Sequence, residues 1–123
     1  MKRELQIATL PVVALRGLVI FPKMMLHFDI GRKKSAAALN AAMEGEREIF
    51  LVAQKDLQED DPKQSDLYAC GVVASVRQVL RLPGTDNIRV VVEGRYRAGL
   101  IELTQDDPFL CGIVREKRTV RAR

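Results

Sequence analysis

Cysteine and histidine are scarce in this 123-residue sequence: there are two cysteines, Cys70 and Cys111, and one histidine, His27. Two thiols 41 residues apart match no zinc spacing and no CxxC redox pair, and a single imidazole leaves little from which to build a metal site. In a reducing cytosol both thiols are expected to be small, buried, apolar side chains. Nucleophilic catalysis lacks its parts. None of Ser35, Ser65 and Ser75 stands in a GxSxG elbow, and His27 reads as an exposed residue of an amphipathic strand. Long apolar runs are missing as well. Leu10–Leu15 and Gly17–Phe21 are broken by Pro, Arg and Gly, far short of the ~20 residues of a membrane helix. The basic start, Met1-Lys2-Arg3, leads into no apolar stretch or small-residue cleavage site, so no signal peptide is expected.

Nucleotide loops are also absent. No glycine opens a GxxxxGK[ST] loop, and there is no GxGxxG. Gly31-Arg32-Lys33-Lys34-Ser35 lacks the first glycine of such a loop and reads as a solvated basic turn ahead of a helix. The paired carboxylates Asp60–Asp61 and Asp106–Asp107 each precede a proline and read as turn openers. The acidic stretch Lys55–Asp66 lacks the Asp-x-Asp-x-Asp-Gly order of a calcium loop. No metal, cofactor or catalytic residue is therefore assigned to this chain.

Apolar residues make up 47%, a globular fraction, and the length suits one domain. The net charge is +4, from 20 basic and 16 acidic side chains. Residues 1–114 hold 15 of each, so the whole excess lies in 115–123, in Arg115, Lys117, Arg118, Arg121 and Arg123 against Glu116. The globular part is thus expected over 1–114. The basic tail 115–123 is expected to begin the linker or next segment of a longer protein.

The pattern is mostly strands. Residues 7–15 are rich in β-formers, with Pro11 marking an edge or an interruption. Arg16–Lys23 reads as a loop. From 24 to 30 the chain alternates, with Met24, Leu26, Phe28 and Ile30 expected in the core and Met25, His27 and Asp29 opposite. Ser35 is the expected N-cap of a helix over residues 35–44 that holds five alanines, with Ala36, Leu39 and Met43 as its buried stripe and Gly45 as its stop. Glu48–Gln54 is apolar on both faces and so is expected to be a central strand. Cys70–Leu82 forms a long strand with a bulge near Arg77–Val79, and Pro83–Asn87 a hairpin turn. Ile88–Glu93, Tyr96–Leu103 and Phe109–Lys117 complete the set, with Gly94 bending the chain between the first two. The expectation is a mostly β, α+β domain: a barrel-like sheet of about six or seven short strands with one helix.

Two surfaces compete for function. In Arg95-Tyr96-Arg97, strand geometry turns Tyr96 away from both arginines, so the three form no basic stacking platform for nucleic acid. The apolar junction Val19, Ile20, Phe21, Pro22, Met24 and Met25 is harder to dismiss. Flexible Met beside an aromatic makes an adaptable apolar surface. The sequence leaves two readings of Phe21 open, a core plug or a surface residue, with the plug ahead, and it puts Met25 on the surface. Phe21, Pro22, Met24 and Met25 are the candidate substrate- or partner-binding residues.

Ordered blocks across the chain resemble the N-terminal domain of the bacterial Lon protease. They are Leu10-Pro11-Val12-Val13-Ala14-Leu15-Arg16, Val19-Ile20-Phe21-Pro22, Met24, Gly31-Arg32 and Ser35. Further on come Leu51–Asp56, Asp66-Leu67-Tyr68, Gly71–Ala74, Leu80–Gly84 and Val90–Gly94. The likeness spans about residues 8–103 and is closer to the protease itself than to a free-standing relative of this domain. Two positions depart from the pattern: Lys23, where the family often has Gly after Phe-Pro, and His27, where it often has Pro.

The resemblance implies a PUA-like pseudobarrel whose role is to recognise and hold protein substrates and to support assembly. For the full-length protein it implies a cytoplasmic, ATP-dependent, homohexameric serine protease of protein quality control and the stress response. Its ATP and Mg2+ sites and its Ser-Lys dyad would lie downstream. The expected partners are unfolded or misfolded proteins and further copies of the protein, with no membrane. A PUA-like nucleic-acid-binding module and a pure oligomerisation module are the alternatives.

Overall fold

The computed structural model describes residues 6–16, 21–59, 62–85 and 87–117. Six strands and one helix follow in the order β1 (Ile7–Leu15), β2 (Met25–Ile30), α1 (Lys33–Glu44), β3 (Glu48–Ala53), β4 (Cys70–Arg81), β5 (Ile88–Gln105) and β6 (Cys111–Glu116). A single 3-10 turn, Gln64–Asp66, lies between β3 and β4. The mostly β architecture with one helix matches the expectation. Two of the expected strands are one: β5 runs for 18 residues straight through Gly94.

The sheet order is β2-β5-β4-β3-β1-β6, and β6 returns to pair with β5. Five strands therefore close into a ring, with β2 attached outside it. Closure works because two strands change partner along their length. In β1, Ile7–Pro11 pair antiparallel with β6, whereas Val12–Leu15 pair parallel with β3. The handover falls at Pro11, the one residue of the strand that has no N–H to give to a ladder. β5 pairs with β2 through Ile88–Glu93 and with β6 through Ala98–Gln105, and with β4 along its other edge. Register shifts at Val73/Ala74 and Val76/Gln78 bend the β4–β5 ribbon, the second at the bulge expected near Arg77–Val79.

β1 and β3 form a wall between two apolar clusters. Val13, Leu15, Ile49 and Leu51 face one cluster, together with Ala38, Leu39 and Ala42 of α1 and Ile88, Val90 and Val92 of β5. Val12, Ala14, Phe50 and Val52 face the other, with Val73, Ala98, Leu110 and Val114. Side chains alternate across a strand, so a strand with a core on each side must be apolar at every position. This is the reason for the unbroken Ile49-Phe50-Leu51-Val52 run, all of it buried.

Three expectations change. α1 begins at Lys33 with Arg32 as its N-cap, so Ser35 is the third helical residue rather than the cap. Arg32 is extended there, and its Nη2 donates to the Ala14 carbonyl at 2.7 Å, which ties the entry of the helix to β1. The fully buried stripe of α1 is Ala38, Leu39 and Ala42, while Ala36 and Met43 pack at its margin. Gly45 does close the helix, with its N–H on the Ala42 carbonyl, but the left-handed residue is Arg47. Cys70 is exposed and Cys111 half-buried, both as free thiols, because each begins a strand at the rim of the sheet rather than its centre.

The stretch after β3 is held from below by a buried amide. Gln54 is 2% exposed, and its Nε2 donates to the carbonyls of Asp56 at 3.1 Å and Glu59 at 2.8 Å. Lys55 N–H donates to Asp66 O at 2.8 Å, closing the loop. Asp60 and Asp61 lie outside the described residues. Replacing Gln54 by Met keeps the volume and removes the donor. The variant is expected to lose about 1–2 kcal/mol in a urea titration and to become more sensitive to proteolysis between residues 55 and 62.

Candidate functional site

The apolar junction begins with a tight turn. Met24 N–H donates to the Phe21 carbonyl at 3.2 Å, with Pro22 at the second position and Lys23 at the third. Lys23 has φ +68°, the left-handed value that a turn with proline second requires of its third residue. The turn runs directly into a bulge. Lys23 N–H donates to the Gly94 carbonyl at 2.7 Å, and Gly94 N–H donates to Met24 O at 2.9 Å, so Lys23 and Met24 together oppose one residue of β5. Gly94 is needed for this approach, since a Cβ there would lie 2.5 Å from the Phe21 carbonyl oxygen.

The turn displays apolar side chains instead of burying them. Phe21 is 58% exposed and Met25 56%, while Met24 is 37% exposed and Pro22 half-buried. The core-plug reading of Phe21 is overturned: Phe21 is the first corner of a turn held against the edge of β5 by Gly94, with its side chain left outside. Met24 is not in the core either. It lies in the bulge, ahead of the regular alternation that takes Leu26 and Phe28 to the margin of the core and Ile30 into it. Met25 is on the surface, as expected. Of the eight large apolar side chains that are exposed among the described residues, three fall within positions 21–25. Val19 and Ile20, read as part of the same junction, lie outside the described residues.

The surroundings are polar and paired. Asp29 and Arg89 face each other across β2 and β5, with Arg89 Nε donating to Asp29 Oδ1 at 2.9 Å. The hydrogen bond from Arg89, with its positive charge, holds the Asp29 carboxyl below the usual carboxylate range. Arg77 pairs with Glu93, and Arg95 with Glu48. Tyr96 packs against the second cluster while Arg95 and Arg97 are exposed, and burial pushes its phenol above the ordinary value. The three residues therefore form no common platform. His27 is exposed on β2. Among the described residues no group of three His, Cys, Asp or Glu side chains is placed to hold a metal ion.

Sequence reasoning did not single out a second apolar region. Exposed Ile101 lines a groove of about 520 Å³ with Ala69, Gly99, Leu100, Arg115 and Lys117, and exposed Tyr68 precedes it in the chain. The available signal was the alternation of β5: Ala98 and Leu100 face inward, which turns Ile101 out.

The described residues thus define a closed, mostly β pseudobarrel with one helix and a displayed apolar turn. Residues 9–121 match the family described as the ATP-dependent protease La (LON) substrate-binding domain, and the chain belongs to that family. It is 45% identical over 109 residues to a Lon protease of Syntrophomonas wolfei, covering 89% of this chain and 13% of that protein. To a Lon protease of Clostridium acetobutylicum it is 45% identical over 101 residues, covering 82% of this chain and 13% of the relative. The chain thus spans about an eighth of the length of these relatives. Its fold is that of the N-terminal domain of Mycobacterium avium complex Lon protease, with a TM-score of 0.68 at 20% identity over 94% of this chain and 57% of that one. It is similar also to a Lon N-terminal domain protein from Xanthomonas campestris, with a TM-score of 0.62 at 11% identity over 89% of this chain and 57% of that one.

Two outcomes follow from this geometry. Lys23→Gly is expected to stabilise the fold by about 1 kcal/mol in chemical denaturation, since glycine takes the left-handed conformation without a Cβ penalty. The Asp29 carboxyl is expected to titrate below the ordinary range by NMR and to return towards it in Arg89→Gln. A carboxyl depressed in the folded state stabilises above its unfolded pKa. The wild type should therefore lose the contribution of this pair as pH falls through the depressed value, a loss absent from the variant.

Proposed function

We propose that this domain captures exposed apolar segments of unfolded or damaged proteins through Phe21, Pro22, Met24 and Met25. The single observation that carries this reading is the display of the turn. Backbone hydrogen bonds to Gly94 hold Phe21 and Met25 more than half exposed, where free burial would hide them. Met side chains repack around differently shaped partners, so such a surface fits many substrates weakly. An unfolded segment also loses conformational freedom on binding, which keeps the affinity of one domain low.

In the full-length protein the domain belongs to an ATP-dependent serine endopeptidase of the cytoplasm that contributes to protein quality control. It supports hexamer assembly there, and several copies around one ring raise the effective concentration for a second contact. ATP, Mg2+ and the Ser-Lys dyad act in segments downstream of this one. Support for the reading comes from the family to which residues 9–121 belong and from the exposed turn.

The test is an NMR titration of the chain with a permanently unfolded protein. Shifts confined to residues 21–26, weakened by Phe21→Ser combined with Met25→Ser and little altered by salt, are the expected result. Shifts elsewhere with none in this turn overturn the assignment. Affinity for RNA or DNA that falls steeply with salt supports the nucleic-acid alternative instead. A stable dimer in sedimentation that buries the turn supports the oligomerisation alternative.

A further inference from the structure

Among the described residues, no strand lies along the outer side of the strand that follows the displayed turn. β2 is the terminal strand of the sheet, paired with β5 on one edge and with no described strand on the other. Which backbone groups that edge offers is set by the bulge. Gly94 N–H donates to Met24 O, so Met24 and Gly94 are a hydrogen-bonded pair of the antiparallel ladder. Bonded and non-bonded pairs alternate along such a ladder. Leu26, Phe28 and Ile30 then bond to Val92, Val90 and Ile88, and Met25, His27 and Asp29 point their N–H and C=O groups away from β5.

Resting on the capture reading above, we propose that this edge binds substrate as an added β-strand, with the outward backbone groups of Met25, His27 and Asp29 pairing with an extended polypeptide. The occupant follows from complementarity. Outward donors and acceptors repeat every second residue, ~6.8 Å apart, and another extended backbone repeats at the same interval. Main-chain pairing ignores side-chain identity, which suits capture of many unfolded sequences. The apolar end of the strand, Met25 with Phe21 and Met24 just before it, receives apolar side chains of the added segment. Between 25 and 30 there is no Pro, no Lys and no bulge to blunt the edge, and its one charged side chain, Asp29, is held by Arg89.

A second copy of this chain fits the edge poorly. Antiparallel self-pairing centred on His27 sets Met25 of one copy against Asp29 of the other, an apolar side chain against a charge already held by Arg89, and stacks two imidazoles at the centre.

The test separates backbone from side chain at one position. His27→Pro removes an outward N–H and no bond to β5, a substitution that an edge strand tolerates; His27→Ala keeps the N–H and removes the ring. The probe is a capped peptide of alternating valine and threonine with lysine at each end, and the same peptide N-methylated at every residue. The expected result is slowed hydrogen exchange at the Met25, His27 and Asp29 amides on adding the first peptide. Affinity should stay near the wild-type value in His27→Ala, fall about tenfold in His27→Pro, and vanish for the methylated peptide. Should His27→Pro fail to fold, the methylated peptide on the wild-type chain decides.

Equal binding of both peptides, or undiminished binding by folded His27→Pro, overturns strand addition while leaving side-chain capture by the turn in place. Edge amides protected by raising the protein concentration alone, with no response to peptide, overturn it in favour of a second copy. Binding of an unfolded protein without protection of the edge overturns strand addition alone. Failure to bind either the unfolded protein or the peptide overturns the capture reading as well.

Discussion

The parallel pairing of Val12–Leu15 with Phe50–Ala53 is the constraint on which the rest of the molecule depends. These two short segments form a wall with an apolar cluster on each side. One cluster lies beneath α1 and the antiparallel pair of β2 with the first half of β5; the other fills the closed ring. A wall of this kind leaves no position for a polar residue, and burying each of its Val, Leu, Ile and Phe side chains contributes about 1.5–3 kcal/mol. Because both clusters share the same backbone, a cavity on one side shifts the side chains that serve the other.

The wall also accounts for the exposed turn. With β1 and β3 packed on both sides, and β4 and β5 committed to both clusters, the sheet can take β2 only at the outer edge of β5. Its approach crosses Gly94, which admits the Phe21 carbonyl because it has no Cβ. Apolar side chains at 21, 24 and 25 are left outside by the geometry of entry. The charged groups nearby, Asp29–Arg89 and Arg77–Glu93, pair with one another and leave the apolar turn uncontested.

Elements with a strong local period were legible from sequence. The both-faces-apolar run at 49–52, the alternation of Ile88, Val90 and Val92, the alanine-rich helix and the bulge near Arg77 all have causes within a few residues. What was not legible depends on partners distant in the chain. Ser35 lost the capping role to Arg32 because the Ala14 carbonyl, 18 residues earlier, takes the guanidinium. Gly94 reads as a break, yet β5 runs through it, because the turn 70 residues upstream needs the space. Phe21 carries the core signature of any phenylalanine, and only the turn in front of β2 decides that it is displayed. Lys23 stood out only as a departure from the resemblance, and its φ of +68° is a left-handed value that glycine adopts without a Cβ penalty.

The handover at Pro11 also sets the order in which the ring can close. Its last seam joins Ile7 to Arg115 and Pro11 to Cys111, segments from opposite ends of the described chain. Contacts of such separation slow folding, since the loop must be ordered before the seam forms. During synthesis the first half of β1 waits with an unpaired edge until Cys111–Glu116 has left the ribosome. For that interval the nascent chain is itself an unfolded strand in search of a partner.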